Sequence, residues 1–228
     1  MVLKAPRAER LELQGPAGAL QALIETPLTD AGEPLTVPAF AVVCHPHPLY
    51  GGTLDNKVVY TVARAIEQLG APAIRFNFRG VGASAGSYDE GRGESEDALA
   101  VIAYGRRRWP RAELWLAGFS FGGAVAARIA AAARAARAIL VAPGITRLER
   151  TDFHAARTAA PECPWLIVQG DADEVVPAPA VLAWARGLEP LPGVPAPEVR
   201  MLPGASHFFH GRLNELRDAV LGFLPGLG

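Results

Sequence analysis

Five consecutive residues, Gly118-Phe119-Ser120-Phe121-Gly122, set a serine between two glycines in the pattern G-x-S-x-G. The pattern carries chemistry in one context, a strand that turns without spacer into a helix and lifts the hydroxyl off the end of a sheet. Residue types supply that context. Leu114-Trp-Leu-Ala-Gly118 reads as a strand, and an alanine-rich helix begins at Phe121 and runs to about residue 133. Glycines suit both flanks because so sharp a turn leaves no room for side chains beside the serine. The Phe121 N–H then lies at a helix N-terminus, pointing at developing negative charge. The competing reading of the same five residues is a glycine-rich packing turn.

A serine hydroxyl is a poor nucleophile until a base takes its proton, and the base needs an acid to orient it. In the hydrolase arrangement the order along the chain is Ser, then Asp or Glu, then His. Downstream of one strand, Gly170-Asp171-Ala172-Asp173-Glu174-Val175-Val176-Pro177 offers the acids. After the last strand, Pro203-Gly204-Ala205-Ser206-His207-Phe208-Phe209-His210 offers the histidines. Spacing alone does not separate Asp171 from Asp173. His207 and His210 both remain open, with His207 nearer the strand end, and His154 reads as a surface residue. Strand ends on one edge of a parallel sheet converge, so residues 120, 173 and 207 can meet.

Two further patterns read as decoys. His45-x-His47 sits in a proline-stiffened turn with no third ligand nearby, so no metal site is expected. Gly80-Val-Gly82-Ala-Ser-Ala85 formally fits a dinucleotide loop. Such a loop should open a helix directly, however, and here turn formers delay the helix until about residue 94. No cofactor is expected.

The elements that must position these residues alternate. Strand-like runs cover 39–44, 71–78, 114–118, 138–142, 165–169 and 198–202, after a possible hairpin of 10–13 and 20–25. Helix-like runs cover 55–69, 94–109, 121–133, 179–187 and 213–224, the second opened by Glu94, Glu96 and Asp97 and closed by Arg106, Arg107 and Arg108 as suits a helix dipole. The pattern predicts an α/β fold with a mostly parallel eight-stranded sheet and helices on both faces. Residues 1–228 read as one domain. Residues 143–163, where a cap would be inserted, leave room for a turn and a short helix around Phe153, so the site is expected to be open.

Composition narrows the function classes. Half the residues are hydrophobic and 20% are charged, which suits a globular chain and not a disordered one. Lys plus Arg number 22 and Asp plus Glu 23, and the resulting net charge of −1 gathers neither nucleic acid nor anionic membrane. The longest uncharged apolar run, residues 114–127, is too short for the ~20 residues that span a bilayer. The first residues hold no apolar signal core, and the two cysteines, Cys44 and Cys163, lie in apolar runs. A cytoplasmic protein with reduced thiols and a small-molecule substrate is expected, of a subunit number the composition does not indicate. Gly and Pro together make 44 residues, many at the C-terminal ends of the expected strands.

The motifs around Ser120, Asp173 and His207 together resemble an α/β hydrolase. More narrowly, residues 44–59 (CHPHPLYGGTLDNKVV) and 76–86 (FNFRGVGASAG) resemble small, cap-poor bacterial hydrolases related to dienelactone-hydrolase-like esterases. The resemblance covers about residues 9–224. It implies Ser120 as nucleophile, Asp173 as the acid of G-x-x-D-x-x-V-P and His207 as the base. It also implies an oxyanion hole of two backbone N–H groups. Phe121 supplies one, and the loop after the third strand supplies the other. In that loop Pro46 and Pro48 lack an N–H, and analogy selects His47, with Leu49 and Tyr50 as substitutes. The glycines of Arg79-Gly-Val-Gly-Ala-Ser84 would shape the rim. Leu49, Tyr50, Phe119 and Phe208 are the expected substrate wall, with Phe121, Phe153 and Phe209 as further candidates. The implied activity is cleavage of short-chain carboxylic esters through an acyl-enzyme. A thioesterase, a serine peptidase or a non-catalytic binding protein on the same fold are the alternatives.

Overall fold

The computed structural model describes residues 4–28, 37–145, 160–188 and 193–227. The chain opens with an antiparallel hairpin, β1 (Lys4–Gly15) and β2 (Gly18–Leu28), with Gly15 opposite Gly18. There follow β3 (Ala39–Cys44), α1 (Lys57–Gln68), β4 (Ala73–Phe76), α2 (Arg92–Arg108), β5 (Glu113–Phe119) and α3 (Phe121–Ile129). The chain continues with β6 (Arg137–Val141), β7 (Trp165–Gly170), α4 (Ala178–Leu188), β8 (Glu198–Leu202) and α5 (Leu213–Phe223). All eight strands form one sheet in the order β1-β2-β4-β3-β5-β6-β7-β8. β2 runs antiparallel to β1 and β4, and every other neighbour pair is parallel. This is the expected α/β architecture.

Continuous apolar runs form the central strands because the sheet is covered on both faces. Alternation along each strand sorts the side chains. Phe40, Val42, Leu114, Leu116, Leu140 and Ile167 pack with Ala98 and Val101 of α2, Val125 of α3 and Val181 of α4. Ala41, Val43, Trp115, Ala117, Ile139 and Val168 pack with Val59, Val62 and Ile66 of α1 and with Leu216 and Val220 of α5. The chain moves outward from β3 to β4, then crosses back to β5 on the other side of β3. Strand order therefore reverses at β3 and β5, whose C-terminal ends flank a crevice.

Most boundaries shift by one or two residues, and the hairpin, β4 and α3 differ from expectation for backbone reasons. The hairpin strands are longer than residues 10–13 and 20–25, because ladder pairing continues past the apolar residues that announced them. β4 stops at Phe76, not residue 78: Asn77 N–H still donates to Gln21 O of β2 at 2.8 Å, but Gln21 N–H turns to Ser84 Oγ and Phe78 N–H to His45 Nε2, each at 3.0 Å, so the pairing ends there. α3 ends at Ile129, not near 133, as Arg134 turns to φ 47° and Ala135 N–H closes on Ala130 O.

His45 and Asp97, both fully buried, fix the segments behind the crevice. His45 Nδ1–H donates to Pro46 O at 2.6 Å while Nε2 accepts from Phe78 N–H, so one ring ties the end of β3 to the end of β4. Both ring nitrogens are thereby occupied, which removes His45 as a metal ligand. Asp97, expected only to suit a helix dipole, instead receives the Arg79 guanidinium at 2.8 Å and the Arg79 N–H at 3.0 Å. The glycine loop after Arg79 is pinned in turn, with Ser84 Oγ–H donating to Asn77 O and Gln21 N–H donating to Ser84 Oγ.

Removing Asp97 would leave the Arg79 guanidinium buried with the exposed Glu96, at 3.4 Å, as its remaining salt-bridge partner among the described residues. Asp97→Ala is therefore expected to destabilise the fold by about 3 kcal/mol or more. Urea unfolding measures this, and a loss under about 1 kcal/mol would contradict the assignment. For His45, burial, opposed by its bond to Pro46 and aided by nearby His47, lowers the imidazole pKa from 6.5 to about 4. Between those values the unfolded chain takes up a proton that the folded chain refuses. Stability should therefore fall as pH drops from about 6.5 to 4, by about 3 kcal/mol from this residue. Tm measured against pH should show that slope in the wild type and lack this component in His45→Asn.

Candidate active site

The turn from β5 into α3 is made by close backbone approach. A Cβ on Gly118 would lie 2.1 Å from Gly122 O, and one on Gly122 would lie 2.4 Å from both Cys44 O and His45 O. Gly118 also pairs directly with Cys44 in the sheet, so the turn is pressed against the end of β3. Only glycine fits at either position. Ser120 between them adopts φ 54° and ψ −118°, a conformation that a non-glycine residue holds only when its surroundings impose it. Its N–H donates to Val141 O at 2.9 Å, and its carbonyl accepts from Gly144 N–H at 2.8 Å.

The hydroxyl so presented meets the loops after β7 and β8. Ser120 Oγ lies 3.0 Å from His207 Nε2, and His207 Nδ1 lies 2.8 Å from Asp173 Oδ2. The carboxylate accepts from Nδ1–H, which leaves Nε2 to accept from the serine hydroxyl. The other carboxylate oxygen, Asp173 Oδ1, closes its own turn by accepting from Val175 N–H at 2.9 Å and Val176 N–H at 2.7 Å. Burial pushes the Asp173 carboxyl up, but the His207 hydrogen bond and the amides of Val176 and Val175 outweigh it and hold the group below its ordinary value. The acid is thus ionised in a buried position. A hydroxyl hydrogen-bonded to such an imidazole can pass its proton on as the oxygen attacks an electrophile.

Two pairs of residues that spacing left equivalent are separated by these contacts. Asp171 is exposed and accepts from Gly204 N–H at 2.6 Å, tying the acid loop to the histidine loop. His210 is exposed and its ring lies against Phe208. Glu174, which the sequence reading passed over, accepts from His207 N–H at 3.3 Å and adds a second tie between the same loops.

A cleft of about 360 Å³ opens over Ser120, bounded by Pro46, His47, Tyr50, Gly51, Gly52 and Asn56 on one side and by Phe121, Gly144, Val175, Val176, His207 and Phe208 on the other. Tyr50 and Phe208 stand where the wall was expected, while Phe119 and Leu49 do not. Phe119 is 1% exposed, because strand alternation sends it to the α1/α5 face, where its ring lies 5.0 Å from His207 as a floor. Leu49 is 66% exposed on the 3-10 turn Pro48–Tyr50 and points to solvent. Phe209 is fully buried in the same core as Phe119, and Phe153 and His154 lie outside the described residues.

None of the residues 79–84 lines the cleft; the glycine loop stands behind it. Nothing in the spacing of Val175, Gly144 and Asn56 marks them for the cleft, and Val176, a fixed position of G-x-x-D-x-x-V-P, is not among the expected wall residues.

The loop after β3 folds around His47. Its carbonyl accepts from the N–H groups of Tyr50 and Gly52, each at 3.1 Å, and its Nδ1 accepts from Leu49 N–H at 3.2 Å. Leu49 and Tyr50 have therefore committed the amides that made them substitutes for His47. The His47 ring packs among Tyr50, Tyr88 and Phe121, with centroids 4.7, 4.9 and 5.0 Å away. On the serine side, the first amides of α3 have no intrahelical acceptor and face the cleft end of the helix.

Comparison with known proteins agrees with this architecture. A family described as serine aminopeptidase, S33, matches residues 51–150. An uncharacterised protein of Rickettsia prowazekii is 34% identical over 186 residues, covering 81% of this chain and 77% of that protein. An α/β serine hydrolase homologue from Coxiella burnetii is 43% identical with a TM-score of 0.83, covering 95% of this chain and 97% of its own. A lidless α/β serine hydrolase from Xanthomonas campestris is 42% identical with a TM-score of 0.82, covering 97% and 95%. This chain belongs to the α/β serine hydrolase family.

Proposed function

We propose that the protein hydrolyses carboxylic esters of small or short-chain acyl groups through an acyl-enzyme on Ser120. The observation that carries this reading is the unbroken chain from Ser120 Oγ through His207 to Asp173 at the foot of a small, largely apolar cleft. His207 takes the serine proton as Oγ attacks the ester carbonyl. The negative charge on the carbonyl oxygen is received by the Phe121 N–H, at the positive end of α3, and by the His47 N–H across the cleft. Proton return from His207 to the departing alcohol leaves the acyl group on Ser120. Water, deprotonated by the same imidazole, then releases the acid. Each step uses the substrate, water and the side chains and backbone of this chain, so no cofactor enters the proposal.

Cleft size supports the short acyl group, since 360 Å³ is near the lower end of small-molecule sites. The match to a serine aminopeptidase family favours a second reading, cleavage of an aminoacyl bond. That substrate carries a free ammonium, and among the described residues lining the cleft there is no carboxylate. An uncharged ester therefore suits the lining better.

Ser120→Ala should lower kcat for a short aryl ester by roughly 10⁴-fold or more. A fluorophosphonate probe should label the wild type at Ser120 and leave the variant unlabelled. Full activity in the variant would end the proposal. Across aryl esters from C2 to C16, kcat/KM should peak among the short chains. A maximum at the long chains would contradict a short-chain cleft, and faster turnover of aminoacyl anilides than of esters would favour the peptidase reading.

A further inference from the structure

Gln169 is the penultimate residue of β7, fully buried, and used by none of the chemistry above. Its Nε2 lies 3.0 Å from Asp173 Oδ2, 3.1 Å from Val176 O and 3.3 Å from Gly170 O. All three neighbours are acceptors, so the amide has one orientation; turned over, its oxygen would face a carboxylate and two carbonyls. Its Oε1 has no hydrogen-bond partner among the described residues. Burying such an acceptor costs about 1–3 kcal/mol, which an apolar side chain of similar shape would not incur. A polar group held at that cost beside a buried carboxylate calls for a reason.

The carboxylate supplies one. An ionised Asp offers about four lone-pair sites, and Asp173 fills them from four donors. Val175 N–H and Val176 N–H take Oδ1, and both belong to the turn that Asp173 itself closes. His207 Nδ1–H and Gln169 Nε2–H take Oδ2. Gln169 is thus the donor to Oδ2 that comes from the rigid sheet and makes no contact with the hydroxyl. Terminal torsions of Asp are soft, so an oxygen aimed by His207 alone would follow the imidazole instead of directing it.

We propose that Gln169 is a positioning residue for the Ser120–His207–Asp173 set. Its amide aims Asp173 Oδ2 at His207 and takes up part of the charge on that oxygen. The inference rests on the catalytic reading of those three residues given above. Losing the amide concentrates negative charge on the oxygen facing the imidazole and favours the protonated ring, which cannot accept the serine proton. The other acids near these loops, Asp171 and Glu174, hold the backbone of Gly204 and His207 and are unchanged by a substitution at 169.

The test is the pH profile of kcat/KM for a short aryl ester in the wild type, Gln169→Leu and Gln169→Met. Both substitutions keep the approximate size and remove the orphaned oxygen, which offsets part of the cost of leaving Val176 O and Gly170 O without this donor, so the variants should fold with a modestly lower Tm. The acid limb should move to higher pH by roughly half a unit to one unit. The plateau kcat should fall about tenfold with KM within twofold of wild type, as expected for a loss felt in the transition state. A merely structural glutamine would lower the yield of folded enzyme and leave the limb in place. Folded variants with an unmoved limb overturn the proposal, and so does failure of both variants to fold, which would make the amide a folding element. Fluorophosphonate labelling of the wild type runs alongside. Absence of labelling there defeats the catalytic reading itself, whereas normal labelling with an unmoved limb defeats only the role of Gln169.

Discussion

The molecule depends on a steric constraint where β5 enters α3. Gly118 and Gly122 bring backbone to within contact of backbone, and the second of them is seated on the carbonyls of Cys44 and His45. Nothing larger than hydrogen fits at either place. The consequence is one turn geometry, in which Ser120 holds a left-handed φ and is raised at the reversal of strand order. The strain is local and the support is global. Ladder pairing of β3 with β5, the bond from Ser120 N–H to Val141 O and the packing of α3 all oppose relaxation. The same contact places the loop after β3 directly across from the serine, so the hydroxyl and the His47 loop are located by one feature.

Electrostatics completes on the other side what sterics begins. A carboxylate removed from water must find donors, and Asp173 finds them in its own turn, in His207 and in Gln169. Asp171 and Glu174, exposed and adjacent, receive backbone N–H groups of the histidine loop. Three acids within four residues therefore do different work. One faces the imidazole, and two hold together the loops that carry acid and base. Farther back, His45 and the Arg79–Asp97 pair anchor the ends of β3 and β4, which keeps the His47 loop from shifting against the serine. Among the described residues no helix is long and apolar enough to cross a membrane, and the apolar side chains are spent on the two faces of the sheet.

Legibility in the sequence followed the length scale of each constraint. G-x-S-x-G was readable because the steric demand falls within five residues. The fold class was readable because each buried strand is a continuous apolar run and each helix carries a repeating face. The choice of Asp173 over Asp171 was open on spacing, since both lie in one loop and the deciding atom belongs to His207, thirty-four positions away. Phe119 and Leu49 illustrate the reverse error. Apolar type and nearness to the motif suggested a substrate wall, but strand alternation turned Phe119 inward and a 3-10 turn aimed Leu49 at solvent. Val175 carries no signal of its own and Val176 reads only as part of the acid motif; both enter the cleft because the acid loop folds beneath it.

By itself, the sequence determined the order and type of the elements, the glycine-bounded serine and the loops from which its partners come. Those are properties of neighbouring residues, governed by backbone sterics and by the period of apolar side chains. Motif resemblance singled out Asp173 and His207, but only the tertiary structure brought His207 to the serine and Asp173 to His207, and it alone decided which aromatic residues face the cleft and that a buried glutamine stands behind the carboxylate. Such outcomes depend on distances between segments far apart along the chain, and on the need of every buried charge and amide to find a partner there.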